Sequence, residues 1–158
     1  MIFIGIDPGI TGGIVRIDGD GMLEGYARTP AIKVGSKREY DLPGMDEMLG
    51  DSSSGVVACI EKVGTLPRDG RVGAFSFGKG YGLWLGMLAA RKIPYFEVPP
   101  QRWQAMMLAG LPRGPKTKLS AVQRSKSLFP QLPLKVKADW GMADAALIAE
   151  YCRRTWTS

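Results

Sequence analysis

The chain begins with a nearly unbroken apolar run. Ile2, Phe3, Ile4 and Ile6 lead to Asp7 in "MIFIGID", and a short apolar run that ends in a turn reads as a buried strand. "PGIT" turns into "GGIVRID", with apolar Ile14, Val15 and Ile17, and "GDG" turns into "MLEGYAR". Three strands joined by short glycine-rich turns predict an antiparallel meander. "AIKVGSKREYDLP" is polar and reads as a loop, and "GMDEMLGD" as a short helix broken by "DSSSG". "VVACIE" is a fourth strand and "GTLPRDG" a loop. A long helix is expected over 71–91, then a fifth strand, "IPYFEVPP", closed by two prolines. "QRWQAMMLAG", "KTKLSAVQRSKSLF" and "DWGMADAALIAEYCRR" read as helices, separated by "LPRGP" and "PQLPLKVK". A hairpin set followed by crossovers implies one α/β domain over 1–158: a five-stranded mixed sheet, three antiparallel strands then two parallel, flanked by helices.

Composition narrows the chemistry. The 158 residues are 45% hydrophobic and 23% charged, which suits a folded domain with a sizeable core. No apolar run approaches the ~20 residues of a membrane span. The start lacks the pattern of a signal peptide, so a cytoplasmic protein, in the host cell if phage-encoded, is expected. Cys59 and Cys152 lie in apolar contexts and read as buried thiols, with neither a disulfide framework nor a zinc site. There is no histidine, which excludes Ser-His-Asp and Cys-His triads. Hydrolysis would rest on carboxylates, lysines or metals. The net charge is +6, and from Val98 to Ala138 there is no acid. That stretch carries Arg102, Arg113, Lys116, Lys118, Arg124, Lys126, Lys135 and Lys137, a footprint suited to a polyanion.

Asp7 closes an apolar strand, where a charge is costly unless paired or bound to metal. Asp-Pro-Gly is also good turn chemistry, so a plain turn is the alternative. Glu61 ends the fourth strand in the same way. If the two strands are parallel neighbours, both acids reach the crevice at their C-terminal ends. In the last helix Asp144, Leu147, Ile148 and Tyr151 share one face by i, i+3, i+4, i+7 spacing. Ala143, Ala145, Ala146 and Ala149 would let that helix approach the sheet closely. Asp139 stands at the helix entrance and could be only a cap. Clustered carboxylates beside a basic surface suggest two-metal phosphoryl transfer, with two Mg²⁺ or Mn²⁺ ions about 3.5–4 Å apart.

"FIGIDPGITGG", "ACIEKV", "GKGYGLWLGMLAA" and "MADAALIAEY" resemble the RuvC-type Holliday junction resolvases of the RNase H-like superfamily, from Ile2 to about Cys152. "GIDPG" alone is weak, since sugar kinases and actin-like ATPases open similarly. The resemblance implies a homodimer that makes paired nicks across four-way or other branched DNA, using Mg²⁺ or Mn²⁺. It maps the metal-binding acids onto Asp7, Glu61 and Asp144. Bacterial members carry an acid or histidine three residues before the last acid, where this chain has Gly141. Asp139 is the nearest substitute, as in shorter phage-type relatives. The junction-wedging aromatic of bacterial members is also missing: Val63-Gly64-Thr65 takes its place, with Phe75 and Phe77 later. Lys118 matches a lysine near the scissile phosphate, where it would stabilise transition-state charge or simply position the phosphate.

The DNA-contacting set expected from this reading is Arg68, Arg71, Lys79, Arg113, Lys116, Lys118, Arg124 and Lys126. Gly78, Gly82 and Gly86 recur every four residues on the long helix. Glycine costs about 1 kcal/mol relative to alanine within a helix, so the stripe implies close approach of another backbone. That backbone is either the chain's own sheet or a partner's helix, with Trp84 and Leu88 beside the contact. Two other classes stay open: a non-catalytic nucleic-acid-binding protein on the same fold, and an actin-like or sugar-kinase-like ATPase. The latter requires two such domains.

Overall fold

The computed structural model describes residues 1–52, 55–62, 64, 70–135 and 138–156, with the backbone alone at Arg71 and Val72. Strands β1 (Ile2–Asp7), β2 (Gly13–Asp18), β3 (Leu23–Arg28), β6 (Val56–Glu61) and β7 (Tyr95–Val98) form one sheet in the order β3-β2-β1-β6-β7. The first three form the antiparallel meander, and β6 and β7 join parallel to β1. In the β2–β3 turn, Asp18 accepts hydrogen bonds from the Asp20 and Met22 N–H groups. The helices are α1 (Leu42–Leu49), α2 (Arg71–Ala90), α3 (Pro100–Met107), α4 (Thr117–Leu128) and α5 (Trp140–Thr155). A 3₁₀ turn spans Gly114–Lys116.

One expectation is overturned. The stretch read as a polar loop holds strands β4 (Ala31–Val34) and β5 (Lys37–Tyr40), paired as a separate two-stranded hairpin. Its side chains are mostly exposed, so the alternation of buried and solvated positions that marks a strand was absent from the sequence.

Two apolar layers sandwich the sheet. On one side Ile4, Ile6, Ile14, Ala58 and Ile60 pack with Met45 and Leu49 of α1 and Trp84 and Leu88 of α2. On the other, Phe3, Val15, Ile17, Val57 and Cys59 pack with α3, α4 and α5. Arg91 fastens α1 to the end of α2, gripping Asp46 with two hydrogen bonds of 2.6 Å and the Gly50 carbonyl with a third of the same length. Both cysteines are free and buried.

Helix α5 is more deeply placed than a one-faced amphipathic helix. Every residue from Gly141 to Glu150 is buried, because α5 packs on β1, β2 and β6 and is covered by α3 and α4. The alanines permit this. A Cβ placed on Gly5 would stand 2.0 Å from the Ala145 carbonyl oxygen and 2.2 Å from the Ala149 nitrogen. Only glycine in β1 lets the helix backbone rest on the strand. Buried Glu150 accepts from Arg153 at 2.8 Å and Arg154 at 2.6 Å, which compensates a carboxylate that burial alone would penalise.

Candidate active site

Strand alternation sets the site. Along β1, Phe3 and Gly5 face the α5 layer and Ile4 and Ile6 the opposite one, so Asp7 projects toward α5. Along β6, Val57 and Cys59 face α5, and Glu61 follows them. The strands run parallel with Ile6 opposite Ile60, which places Asp7 and Glu61 side by side at their C-terminal ends. Asp144 approaches from the α5 side, 3% exposed. Lys118, in the first turn of α4, donates from Nζ to the Asp144 carboxylate. Trp103, fully buried on α3, donates its indole N–H to Glu61 Oε2 at 2.9 Å.

These groups share one electric field. Burial, then Asp144, then Glu61 push the Asp7 carboxyl from 3.8 up to about 7, against the pull of Lys118 and the Gly9 N–H. Burial and Asp144 push Glu61 up to about 7, opposed by Trp103 and Lys118. Burial also raises Asp144, with Lys118 opposing it. Burial acts to lower the Lys118 ammonium, but Asp144, Asp7 and Glu61 outweigh it and hold the lysine above its ordinary value. Three carboxylates thus lean on one ammonium. The turn reading of Asp7 holds as well, because its carboxylate is stabilised by the Gly9 N–H. Among the described residues, no three His, Cys, Asp or Glu side chains stand close enough to enclose one ion. In this conformation the acids meet electrostatically without closing into a coordination sphere.

Asp139 is not part of that group. Its carboxylate takes Arg28 Nε at 2.5 Å and the Lys135 N–H at 2.7 Å. Burial acts to raise it, but these partners hold it below the ordinary carboxylate range. It occupies the cap position of α5 without a capping hydrogen bond from its side chain. Gly141 cannot supply a fourth ligand through any substituted side chain, since a Cβ there would lie 2.4 Å from Gly12 Cα and 2.5 Å from the Thr11 carbonyl oxygen. The β1–β2 turn occupies the space.

The expected DNA contacts divide by what already holds them. Lys116 and Lys126 are exposed, and Arg113 is exposed apart from a 3.4 Å contact to the Ala105 carbonyl. Arg124 donates to the Ala109 carbonyl at 3.0 Å, and Lys79 pairs with Glu39 at 2.9 Å. Arg68 lies outside the described residues, as do Val63, Thr65, Val136 and Lys137, and nothing describes the Arg71 side chain. Phe75 is 77% exposed, whereas Phe77 packs by Gly9.

The glycine stripe of α2 faces away from the chain's own core. A Cβ at Gly78, Gly82 or Gly86 would meet nothing within 4 Å, so the sheet does not explain the stripe. Trp84 and Leu88 do not border it: both are fully buried in the chain's own core. They repeat at helical spacing like the glycines but a half-turn away, and spacing alone does not tell which stripe faces inward.

Sequence reasoning missed three residues that shape the site. Arg28 restrains Asp139, Trp103 orients Glu61, and Tyr40 lies within the field of Asp7, which with burial raises its hydroxyl. Only Trp103 had a signal, an indole just after the strand-closing Pro-Pro pair, and a core tryptophan would look the same.

No protein-family profile matches the chain. Over 94 residues, 58% of the chain, it is 35% identical to the chloroplastic Holliday junction resolvase MOC1 of Chlamydomonas reinhardtii. The matched part is 10% of that relative, so the chain spans a small fraction of its length. Among solved structures it is similar to T. thermophilus RuvC in complex with Holliday junction substrate, with a TM-score of 0.62 at 18% identity, covering 94% of this chain and 90% of that one. A second Thermus thermophilus RuvC structure superposes with a TM-score of 0.59 at 17% identity, over 98% of this chain and 97% of that one. The five-stranded order, the flanking helices and this coverage together give the chain the fold of the RuvC structures.

Proposed function

We propose that the chain is a metal-dependent endonuclease that resolves four-way DNA junctions by phosphodiester hydrolysis. The observation that carries this reading is the meeting of Asp7, Glu61 and Asp144 with Lys118 at the strand ends of a RuvC fold. The donor chemistry fits Mg²⁺ or Mn²⁺. All three groups offer hard carboxylate oxygens, they repel one another, and the site holds no sulfur or nitrogen ligand of the kind softer metals prefer. Bound by these acids, two such ions would supply Lewis acidity and a water activated at neutral pH.

The remaining roles belong to the chain itself. Trp103 holds Glu61 in one orientation through its indole N–H. Lys118 opposes the burial that raises the Asp144 carboxyl, while its own side chain stays 48% exposed, so its ammonium can turn to a phosphate oxygen and stabilise charge there. Arg113, Lys116 and Lys126 carry the backbone-binding surface outward. Asp139 would join as a ligand only by exchanging Arg28 for a metal. Phe75, exposed near the start of α2, would serve where bacterial relatives use a wedge. The outward glycines Gly78, Gly82 and Gly86 would seat an identical helix of a second copy, so that two sites address opposite strands.

A nicking assay on a synthetic four-way junction tests the reading. Paired nicks are expected with Mg²⁺ and none with EDTA, and Asp7→Asn, Glu61→Gln and Asp144→Asn should bind the junction without cutting it. A chain that binds but never cuts would place it among non-catalytic DNA-binding proteins.

A further inference from the structure

The β4–β5 hairpin breaks a rule of strand pairing. Lys33 stands directly opposite Arg38, and like charges in that position weaken a hairpin. A two-stranded hairpin has little stability of its own, so a repulsive pair at its centre calls for an anion between the cations. Among the described residues no protein group supplies one: Lys33, Lys37 and Arg38 form no ion pair there. The hairpin's acid, Glu39, is already paired with Lys79 of α2.

The position matters as much as the charge. By strand alternation Lys33 and Arg38 share a face with Tyr40. Tyr40 is the buried root of the hairpin and donates its hydroxyl to the Ser76 carbonyl at 3.2 Å. A Cβ on Gly80 would stand 2.1 Å from the Tyr40 hydroxyl and 2.6 Å from the Pro8 carbonyl oxygen. The root is therefore wedged beside the residue that follows Asp7. The outer end is held open by a two-residue turn, with Gly35 at a φ of 61°, as a first turn position of this kind requires. Ile32 and Val34 are 51% and 54% exposed on the other face.

We propose that Lys33 and Arg38 clamp one backbone phosphate of a DNA arm, making the hairpin an outrigger that fixes the arm relative to Asp7. The proposal rests on the nuclease reading and adds to it a positioning element that carries no metal ligand. Phosphate is the anion that fits, since a guanidinium and an ammonium side by side match its oxygens and the partner surface is already a polyanion.

The test is the double variant Lys33→Gln/Arg38→Gln beside wild type and Lys37→Gln, with junction affinity measured in EDTA over a salt series. Loss of one phosphate contact makes log K against log salt shallower by roughly 0.9, which extrapolates to about eightfold weaker binding at 0.1 M salt. Cleavage with Mg²⁺ at saturating protein should slow as the arm loses its fixed position relative to Asp7, and the melting temperature should stay level or rise as the repulsion is removed. Lys37→Gln, on the opposite face, should change the slope much less. An unchanged slope in the double variant, an equal loss in Lys37→Gln, or a lowered melting temperature would each overturn the clamp while leaving the nuclease reading intact. A wild-type chain that neither binds nor nicks junctions would overturn the nuclease reading itself.

Discussion

Replacing Asp7 by asparagine should make the metal-free protein more stable while removing its activity. In the metal-free fold Asp7 is raised from 3.8 to about 7 by burial and by Asp144 and Glu61. The interval corresponds to about 4 kcal/mol of destabilisation when the group is fully ionised. An amide in the same place stays desolvated, so about half of that should be recovered, or about 2 kcal/mol. For a chain of this length about 2 kcal/mol moves the melting temperature by roughly 4–8 °C. Because the folded-state value is raised, the penalty is absent below about pH 4, where Asp7 is protonated folded and unfolded. It builds as pH rises and is complete above about pH 7. The advantage of Asp7→Asn should therefore be small at pH 5 and largest at pH 8. Divalent metal should stabilise the wild type strongly and the variant weakly, because binding to the folded state alone adds stability by mass action. Thermal melts at pH 5, 6.5 and 8, in EDTA and in Mg²⁺, make the comparison. A variant that melts below wild type at pH 8 in EDTA would refute the picture of mutually repelling buried carboxylates.

Asp139→Asn should lower stability by about 1–3 kcal/mol, since it breaks the charge-assisted pair between the buried Asp139 carboxylate and the half-exposed Arg28, while Mg²⁺-dependent nicking persists. Complete loss of nicking at unchanged stability would instead make Asp139 a metal ligand. Glu150 is held below the ordinary carboxylate range by Arg153 and Arg154 against the opposing effect of burial, so its contribution is present above about pH 4.5 and lost as pH falls further. Glu150→Gln should flatten the acid limb of the stability curve between about pH 5 and 3, and an unaltered limb would show that the clamp is neutral. Gly82→Leu, facing open space within the chain, should fold normally yet sediment as a monomer that makes single nicks. A dimer with normal paired cleavage would remove α2 from the subunit contact.

The legible parts of the fold were those whose burial is one-sided or complete. The runs at β1, β2 and β6 show their apolar faces directly, and the acids that close β1 and β6 gain their meaning from a parallel pairing the topology demands. The β4–β5 hairpin was illegible because its residues bury almost nothing, so no period of two marks it. The fourth acid kept its partner hidden for a related reason. Its chain position fits a ligand, but the Arg28 pair that holds it spans 111 residues, and no local pattern carries such a contact. The stripe of α2 was read correctly as unusual, whereas which stripe faces inward was settled only by the position of Trp84 against the sheet.

The burial of the middle of α5 sets unequal clocks within the candidate site. Asp144 sits in a segment enclosed from Gly141 to Glu150, so its amide can exchange with solvent only when the sheet and its covering helices come apart together. Lys118, in the first turn of α4 with nearly half its side chain exposed, belongs to a region that can fray alone. One partner of the ion pair is thus fixed for the lifetime of the native state, and the other is free to leave and return many times within it. Selection can retune the lysine cheaply, whereas almost any change near the aspartate must be accommodated by the whole fold.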